Sequence, residues 1–277
     1  GLNTGTEDKW TVDTPKEVNT LGFEGTETQA IAGLDVHRLV VNEDLVTELG
    51  YKSMFDQAFP EVPSNDRYNT IIAGLAIAAY ERTILSNEAP FQKWLRGEFT
   101  AMTTQQKEGA VLFFGKAECT NCHNGPSLAN MEFHAIGMND LYQCPDPVFN
   151  VSINDGANLG RADFTGEEDD KFKFKVPQLY NLKDSPFYGH GSSFTSIRDV
   201  LEYKNRAIKQ NNTVSIDRLS EFFHPLSLSE EELNELTAFI EHGLYDPNLN
   251  RFVPDEVLSG NCFPNNDLLS QQDLGCN

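Results

Sequence analysis

Residues 117–126 read Ala-Glu-Cys-Thr-Asn-Cys-His-Asn-Gly-Pro, so Cys119 and Cys122 stand two residues apart and His123 follows at once. This is the attachment pattern of c-type haem. Two thiols add to the two vinyl groups, and the adjacent imidazole ligates iron from one face. Asn124-Gly125-Pro126 supplies a turn after it. The alternatives are a redox-active cysteine pair and a zinc site built on two Cys and one His. No second Cys-x-x-Cys exists, so a four-thiolate zinc site cannot be assembled from this chain. A chain built on such a motif has to enclose a prosthetic group that itself supplies core surface. That favours helices joined by long loops.

The 277 residues suffice for one large or two ordinary domains, and 39% are hydrophobic. The formal net charge of -21 disfavours nucleic acid and anionic membrane surfaces, whose phosphates it repels. It would steer a small basic redox protein towards the chain, and it serves solubility equally. The longest apolar run, residues 71–80, is too short to span a bilayer. The sequence starts at Gly1 with no signal peptide. Haem is attached covalently outside the bacterial cytoplasm, so a periplasmic or otherwise exported location is expected, with a leader, or more than a leader, upstream of Gly1 removed or not shown. Of five cysteines, Cys144, Cys262 and Cys276 remain after the motif. A disulfide between Cys262 and Cys276 would fix a polar tail and leave Cys144 free; Cys144 paired with either is the alternative.

In chain order, residues 1–30 read as an irregular arm, followed by a short apolar stretch and a lone histidine, His37. Two short helices are expected over 44–49 and 51–59, then a strong one capped at Asn65-Asp66 and running to about Ser86. Thr103-x-x-Gln106 and Ser229-x-x-Glu232 are capping boxes, each opening a helix. Residues 124–170 are mostly loop, 171–175 one short extended segment, and 195–209 helical. The expected fold class is mainly α: a cytochrome-c-like helical haem domain with long loops and very little sheet.

Further motifs resemble one family. They are Ala76-x-x-x-Tyr80-Glu81-Arg82-Thr83-Ile84-Leu85-Ser86 with Pro90-Phe91, Gly109-Ala110-x-Leu112-Phe113, and Cys119 to Pro126 with Phe133 and Gly137. Gly160-Arg161 with Phe174-Lys175-Val176-Pro177-x-Leu179-x-Asn181, and residues 185–192, complete the set. In this order, over about 66–245, the chain resembles the bacterial di-haem cytochrome c peroxidases and their MauG-like relatives. The resemblance implies two cytochrome-c-like domains, with hydrogen peroxide split at the N-terminal haem and electrons from a small redox protein entering at the C-terminal one. It implies three segments here: 1–65, the remainder of an N-terminal haem domain and a connecting arm; 66–250, a cytochrome-c-like haem domain; and 251–277, a disulfide-closed tail. The first haem motif is missing, so either a removed segment or a second chain supplies it, or this member lacks it. A homodimer is a further arrangement to consider.

The resemblance also assigns residues. Cys119 and Cys122 hold haem c, and His123 is its proximal ligand. Gln29 and His37 correspond to distal-pocket positions of the other haem, where the family has a Gln and a Glu. Phe23 stands where the family usually has a Trp between the haems, which puts a Trp-type electron relay in doubt. The family's distal ligand to the C-terminal haem is Met, or Tyr in MauG-like members, and Tyr203 is the nearest equivalent; Met138 and His190 are alternatives. Backbone carbonyls of Asp184 and Pro186 map to the family's calcium site. Three functions follow: a peroxidase, a non-enzymatic electron-transfer subunit with one six-coordinate haem, or a MauG-like oxidase that modifies a partner protein.

Overall fold

Gly109 is the point on which the larger part of the molecule closes. A methyl group there would lie 2.0 Å from the Glu235 carbonyl oxygen and 2.8 Å from Phe239 Cβ, so only glycine lets the two helices cross this closely. The computed structural model describes residues 23, 25–144, 151–254, 258–259 and 272. The helices, in chain order, are α1 (Gly25–Val36), α2 (Glu43–Glu48), α3 (Lys52–Ala58), α4 (Thr70–Glu81), α5 (Pro90–Leu95), α6 (Thr104–Phe114), α7 (Arg161–Thr165), α8 (Ile197–Arg206) and α9 (Glu230–Ala238). One two-stranded antiparallel sheet joins β1 (Phe133–His134) to β2 (Phe174–Lys175), with Phe133 opposite Lys175 and His134 opposite Phe174. The fold is mainly α with very little sheet, as the sequence implies.

Two compact units divide the chain: residues 1–85 with 249–277, and residues 86–248. α4 belongs to the first unit. Its Gly74 abuts Ile31 of α1, where an added methyl group would lie 2.3 Å from the Ile31 side chain. Arg82, at the end of α4, grips both oxygens of Glu27 at 2.6 and 2.7 Å. The irregular arm expected through residue 30 therefore gives way to helix at Gly25. The cap of α4 also differs from expectation. Asn69 accepts the Ile72 N–H at 3.0 Å, and Ser64–Asp66 form a separate 3-10 turn behind Pro63.

In the second unit both capping boxes form. Thr103 accepts from Gln106 N–H at 3.2 Å while Gln106 returns a bond to Thr103 N–H at 2.9 Å. Ser229 and Glu232 do the same at 3.2 and 2.8 Å. α6 and α9 then cross over a core containing Phe91, Phe113, Leu236, Phe239 and Leu244. The Phe113 and Phe239 rings meet edge-on, with centroids 5.5 Å apart. α9 continues as a single π-turn through Phe239–Gly243. The consequence for the site is that the C-terminal end of α6 is fixed, and the cysteine motif starts five residues beyond it. Lys116, between them, is clamped to Glu232 of α9 at 2.7 Å.

Candidate haem-binding site

Glu118 adopts a left-handed conformation (φ 53°), which turns the chain out of α6 into a 3-10 turn over Cys119–Asn121. Cys122 N–H and His123 N–H both donate to the Cys119 carbonyl, at 3.2 and 2.8 Å. The two cysteines and the histidine are thus held on one tight turn. Asn130 closes the loop behind it. Its N–H reaches the Cys122 carbonyl at 3.1 Å and its side-chain amide the Asn121 carbonyl at 3.3 Å. Gly125 (φ 73°) and Leu128 (φ 51°) bend the chain back. Leu128 is buried in the same core as Ala117.

That bend fixes the imidazole. His123 Nδ1 lies 3.0 Å from the Leu128 carbonyl oxygen, and the Pro177 carbonyl also faces the ring. A carbonyl can only accept, so Nδ1 carries the proton and Nε2 presents its lone pair. Anchoring one ring nitrogen on a carbonyl is how metal-ligating histidines are usually oriented. Burial lowers the His123 pKa, with the two carbonyl contacts opposing, so the ring favours the neutral form that binds iron. Burial pushes the Cys119 thiol up to about 12 and raises Cys122 less. The residues fit haem c on their chemistry: two adjacent thiols, one oriented imidazole, and an apolar surround containing Leu128, Leu179 and Leu228.

Gly160 bridges to Lys173 just ahead of β2, and Arg161 opens α7. Gly160 (φ 63°) lies against the Lys173 carbonyl, where a methyl group would come within 2.5 Å. Arg161 stacks over the Phe133 ring at 4.1 Å and donates to Asp170 at 3.1 Å. These contacts explain why Gly-Arg precedes the Phe-Lys-Val-Pro segment by a dozen residues, which spacing alone does not reveal.

Tyr203, Met138 and His190 lie in one neighbourhood. Met138 and Tyr203 share a buried cluster with Phe194 and Phe223. The Tyr203 hydroxyl donates to the Ile136 carbonyl at 2.5 Å, and burial raises its pKa. His190 Nε2 sits 3.0 Å from Asp140 Oδ1, with its ring stacked on Phe174 at 3.5 Å. Asp140 is 2% exposed and takes a second bond, at 2.8 Å, from the fully buried Asn211. Neither Asn211 nor Asp140 figures among the sequence-derived site residues; a buried carboxylate–amide pair 71 positions apart leaves no local pattern. Asp184 ends a 3-10 turn, and both it and Pro186 are exposed. Gln29 and His37 lie in the first unit, exposed on α1 and just past its end. Phe23 is half-buried. Cys144 is a free, half-buried thiol, whereas Cys262 and Cys276 lie outside the described residues.

One residue that the sequence did not single out stands beside the motif. Lys204 of α8 is half-buried, and its positive charge acts on Cys119, Cys122 and His123 together. Burial lowers its own pKa, the two thiols opposing.

Comparison with known proteins places this geometry. The sequence profile of the family described as di-haem cytochrome c peroxidase matches residues 17–100. Cytochrome-c peroxidase IdrP1 of Pseudomonas sp. (strain SCT) is 31% identical over 209 residues, covering 69% of this chain and 52% of that protein. Methylamine utilization protein MauG of Methylorubrum extorquens is 30% identical over 205 residues, covering 73% of this chain and 51% of that protein. The chain thus spans about half the length of the curated relatives it matches. A crystal structure of a MauG-like protein associated with microbial copper homeostasis superposes with a TM-score of 0.60 at 24% identity, over 78% of this chain and 65% of that one. The di-haem peroxidase BthA from Burkholderia thailandensis superposes at 0.53 and 16% identity, over 84% of this chain and 61% of that one. Among the described residues no helix is long and apolar enough to cross a membrane. With the cysteine turn, the oriented histidine and the crossed helices of a cytochrome-c fold all in place, the chain belongs to the di-haem cytochrome c peroxidase family, which includes MauG.

Proposed function

We propose that this chain is the electron-entry portion of an exported c-type peroxidase that reduces hydrogen peroxide with electrons from a small redox protein. The carrying observation is the Cys119–His123 turn, with Nδ1 of the imidazole held 3.0 Å from the Leu128 carbonyl. Haem bound there supplies one-electron oxidation and reduction. Cys119 and Cys122 fix the group, His123 orients it, and the crossing of α6 over α9 keeps the turn from yielding. The names of the matched relatives support the reaction, and the single Cys-x-x-Cys-His supports one haem in this chain. In this reading a second haem completes the working molecule, and peroxide is broken there.

The remaining assignments belong to the same proposal. Residues 66–250 form the haem domain of the family's C-terminal half, and 1–65 close the other one. Gln29 and His37, both exposed, would face the second haem and move the peroxide protons, a task suited to histidine near neutral pH. The carbonyls of Asp184 and Pro186 would bind calcium, and Cys262 would pair with Cys276. The peroxidase reading is preferred to the MauG-like one because the Tyr203 hydroxyl is already bonded to the Ile136 carbonyl.

A pyridine haemochrome assay against protein concentration tests the reading. One haem per chain is expected; two, or none, overturns it. Peroxide added to the reduced protein together with its haem partner should oxidise it. A spectrum that stays unchanged would remove peroxidase activity.

A further inference from the structure

The chain contains a single Asn-Gly step, Asn124-Gly125, and it follows directly on His123. Asn124 is exposed. Its side-chain nitrogen, Nδ2, donates to the Thr120 carbonyl at 3.1 Å, so it reaches back to a residue between the two cysteines. Gly125 has a φ of 73°, and an added Cβ there would meet nothing within 4 Å. The glycine is thus required by backbone conformation, not by crowding. The turn it makes also sets the imidazole. Leu128 N–H donates to the Gly125 carbonyl at 3.1 Å, and the Leu128 carbonyl lies 3.0 Å from His123 Nδ1.

An asparagine is open to attack on its side-chain carbonyl carbon by the backbone nitrogen that follows it. A side chain on the next residue obstructs that ring closure, and glycine has none. Every other asparagine with a successor is followed by a residue that carries a side chain. Asn158 and Asn211 are buried as well. Among the described residues no hydrogen bond engages the Gly125 N–H, so the attacking nitrogen is not held elsewhere. The conformation that orients His123 therefore demands the one residue type that leaves Asn124 unprotected.

We propose that Asn124 is a site of spontaneous deamidation whose conversion lowers the reduction potential of the haem held beside it. The Gly125 nitrogen loses its proton and bonds to Asn124 Cγ. The Cγ–Nδ2 bond breaks and ammonia leaves. Water then opens the cyclic imide at either carbonyl, giving aspartate or isoaspartate; nothing is oxidised or reduced. The departing nitrogen is the atom that donates to the Thr120 carbonyl, so that bond is lost and a carboxylate is left facing a carbonyl. A negative charge now stands next to His123, and it favours ferric over ferrous iron. Isoaspartate also adds a backbone carbon between His123 and Leu128, which loosens the carbonyl that orients the ring. The effect on the haem rests on the reading of residues 119–123 as a haem c site; the conversion of Asn124 does not.

The test stores the full holoprotein warm at neutral pH over weeks, beside Asn124→Ser and Asn124→Asp. Peptide mapping by mass spectrometry reads the replacement of amide by acid. Labelling with an isoaspartyl methyltransferase reads isoaspartate, and a spectroelectrochemical titration reads the potential. In the native protein Asn124 should convert ahead of every other asparagine, take up the methyl label, and carry the potential downward in step. Asn124→Ser should take up no label at this position and hold its potential. Asn124→Asp should start at the lowered potential. An Asn124 that stays an amide throughout, or converts no faster than the other asparagines, overturns the site. Conversion with a steady potential, together with a native potential in Asn124→Asp, overturns the effect on the haem. Absence of covalent haem from the native protein would instead overturn the reading of residues 119–123, with the conversion still decided by mass.

Discussion

The two faces of the proposed haem site are built by opposite means. On the His123 side the thiols, the imidazole, the Leu128 carbonyl that orients it and the asparagine that closes the loop all lie within residues 117–130. On the α8 side, side chains arrive from residues 138, 190 and 203, and their neighbours from 140, 174 and 211. The first face is a local turn that the sequence nearly spells out. The second is an agreement among distant segments.

Substitutions can break or sharpen this contrast. The largest effect belongs to Cys119→Ala combined with Cys122→Ala, which should abolish covalent haem altogether. Haem staining of the denatured protein checks it, and retained covalent haem would refute the local-turn picture. Next is Gly109→Val. Its side chain would enter the Glu235 carbonyl, 2.0 Å from the first added carbon. Overpacking there should cost about 3 kcal/mol and lower the denaturant midpoint. Because the crossing supports both faces, haem attachment and α8 signals should be lost together. Asn211→Ala should separate them. It removes the 2.8 Å donor to the buried Asp140, at a cost of about 1–3 kcal/mol. Thermal stability should fall while the haem count stays at one per chain. The smallest effect is expected of Thr103→Ala or Ser229→Ala, each losing a helix cap worth about 1 kcal/mol, seen as a modest drop in the melting temperature.

The same contrast explains what could be read in advance. Both capping boxes announced themselves because the residues that bond are three apart. The cysteine motif did so for the same reason. α1 escaped notice because its buried positions, Ala30, Ile31, Ala32 and Leu34, are bunched rather than spread at helical spacing, so no period shows. The start of α4 was placed four residues early because two Asn-containing turns precede it, and Pro63 gives the first of them to a 3-10 turn. Lys204 was overlooked on chemical grounds. A lysine at the end of a helix ordinarily reads as a solvated charge complementing the dipole. The action of its charge on two thiols and an imidazole is what changes that meaning.

The crossing at Gly109 has a consequence in time. Its partners, Glu235 and Phe239, lie more than a hundred residues downstream. A chain that emerges amino end first, at about 5–20 residues per second, exposes Cys119, Cys122 and His123 several seconds before α9 exists to hold α6. While the chain is incomplete the motif is therefore an unsupported segment with its thiols accessible, and only later a half-buried turn. In the proposed reading, that interval is when the thiols are open to haem attachment, and the late arrival of α9 then seals the joint.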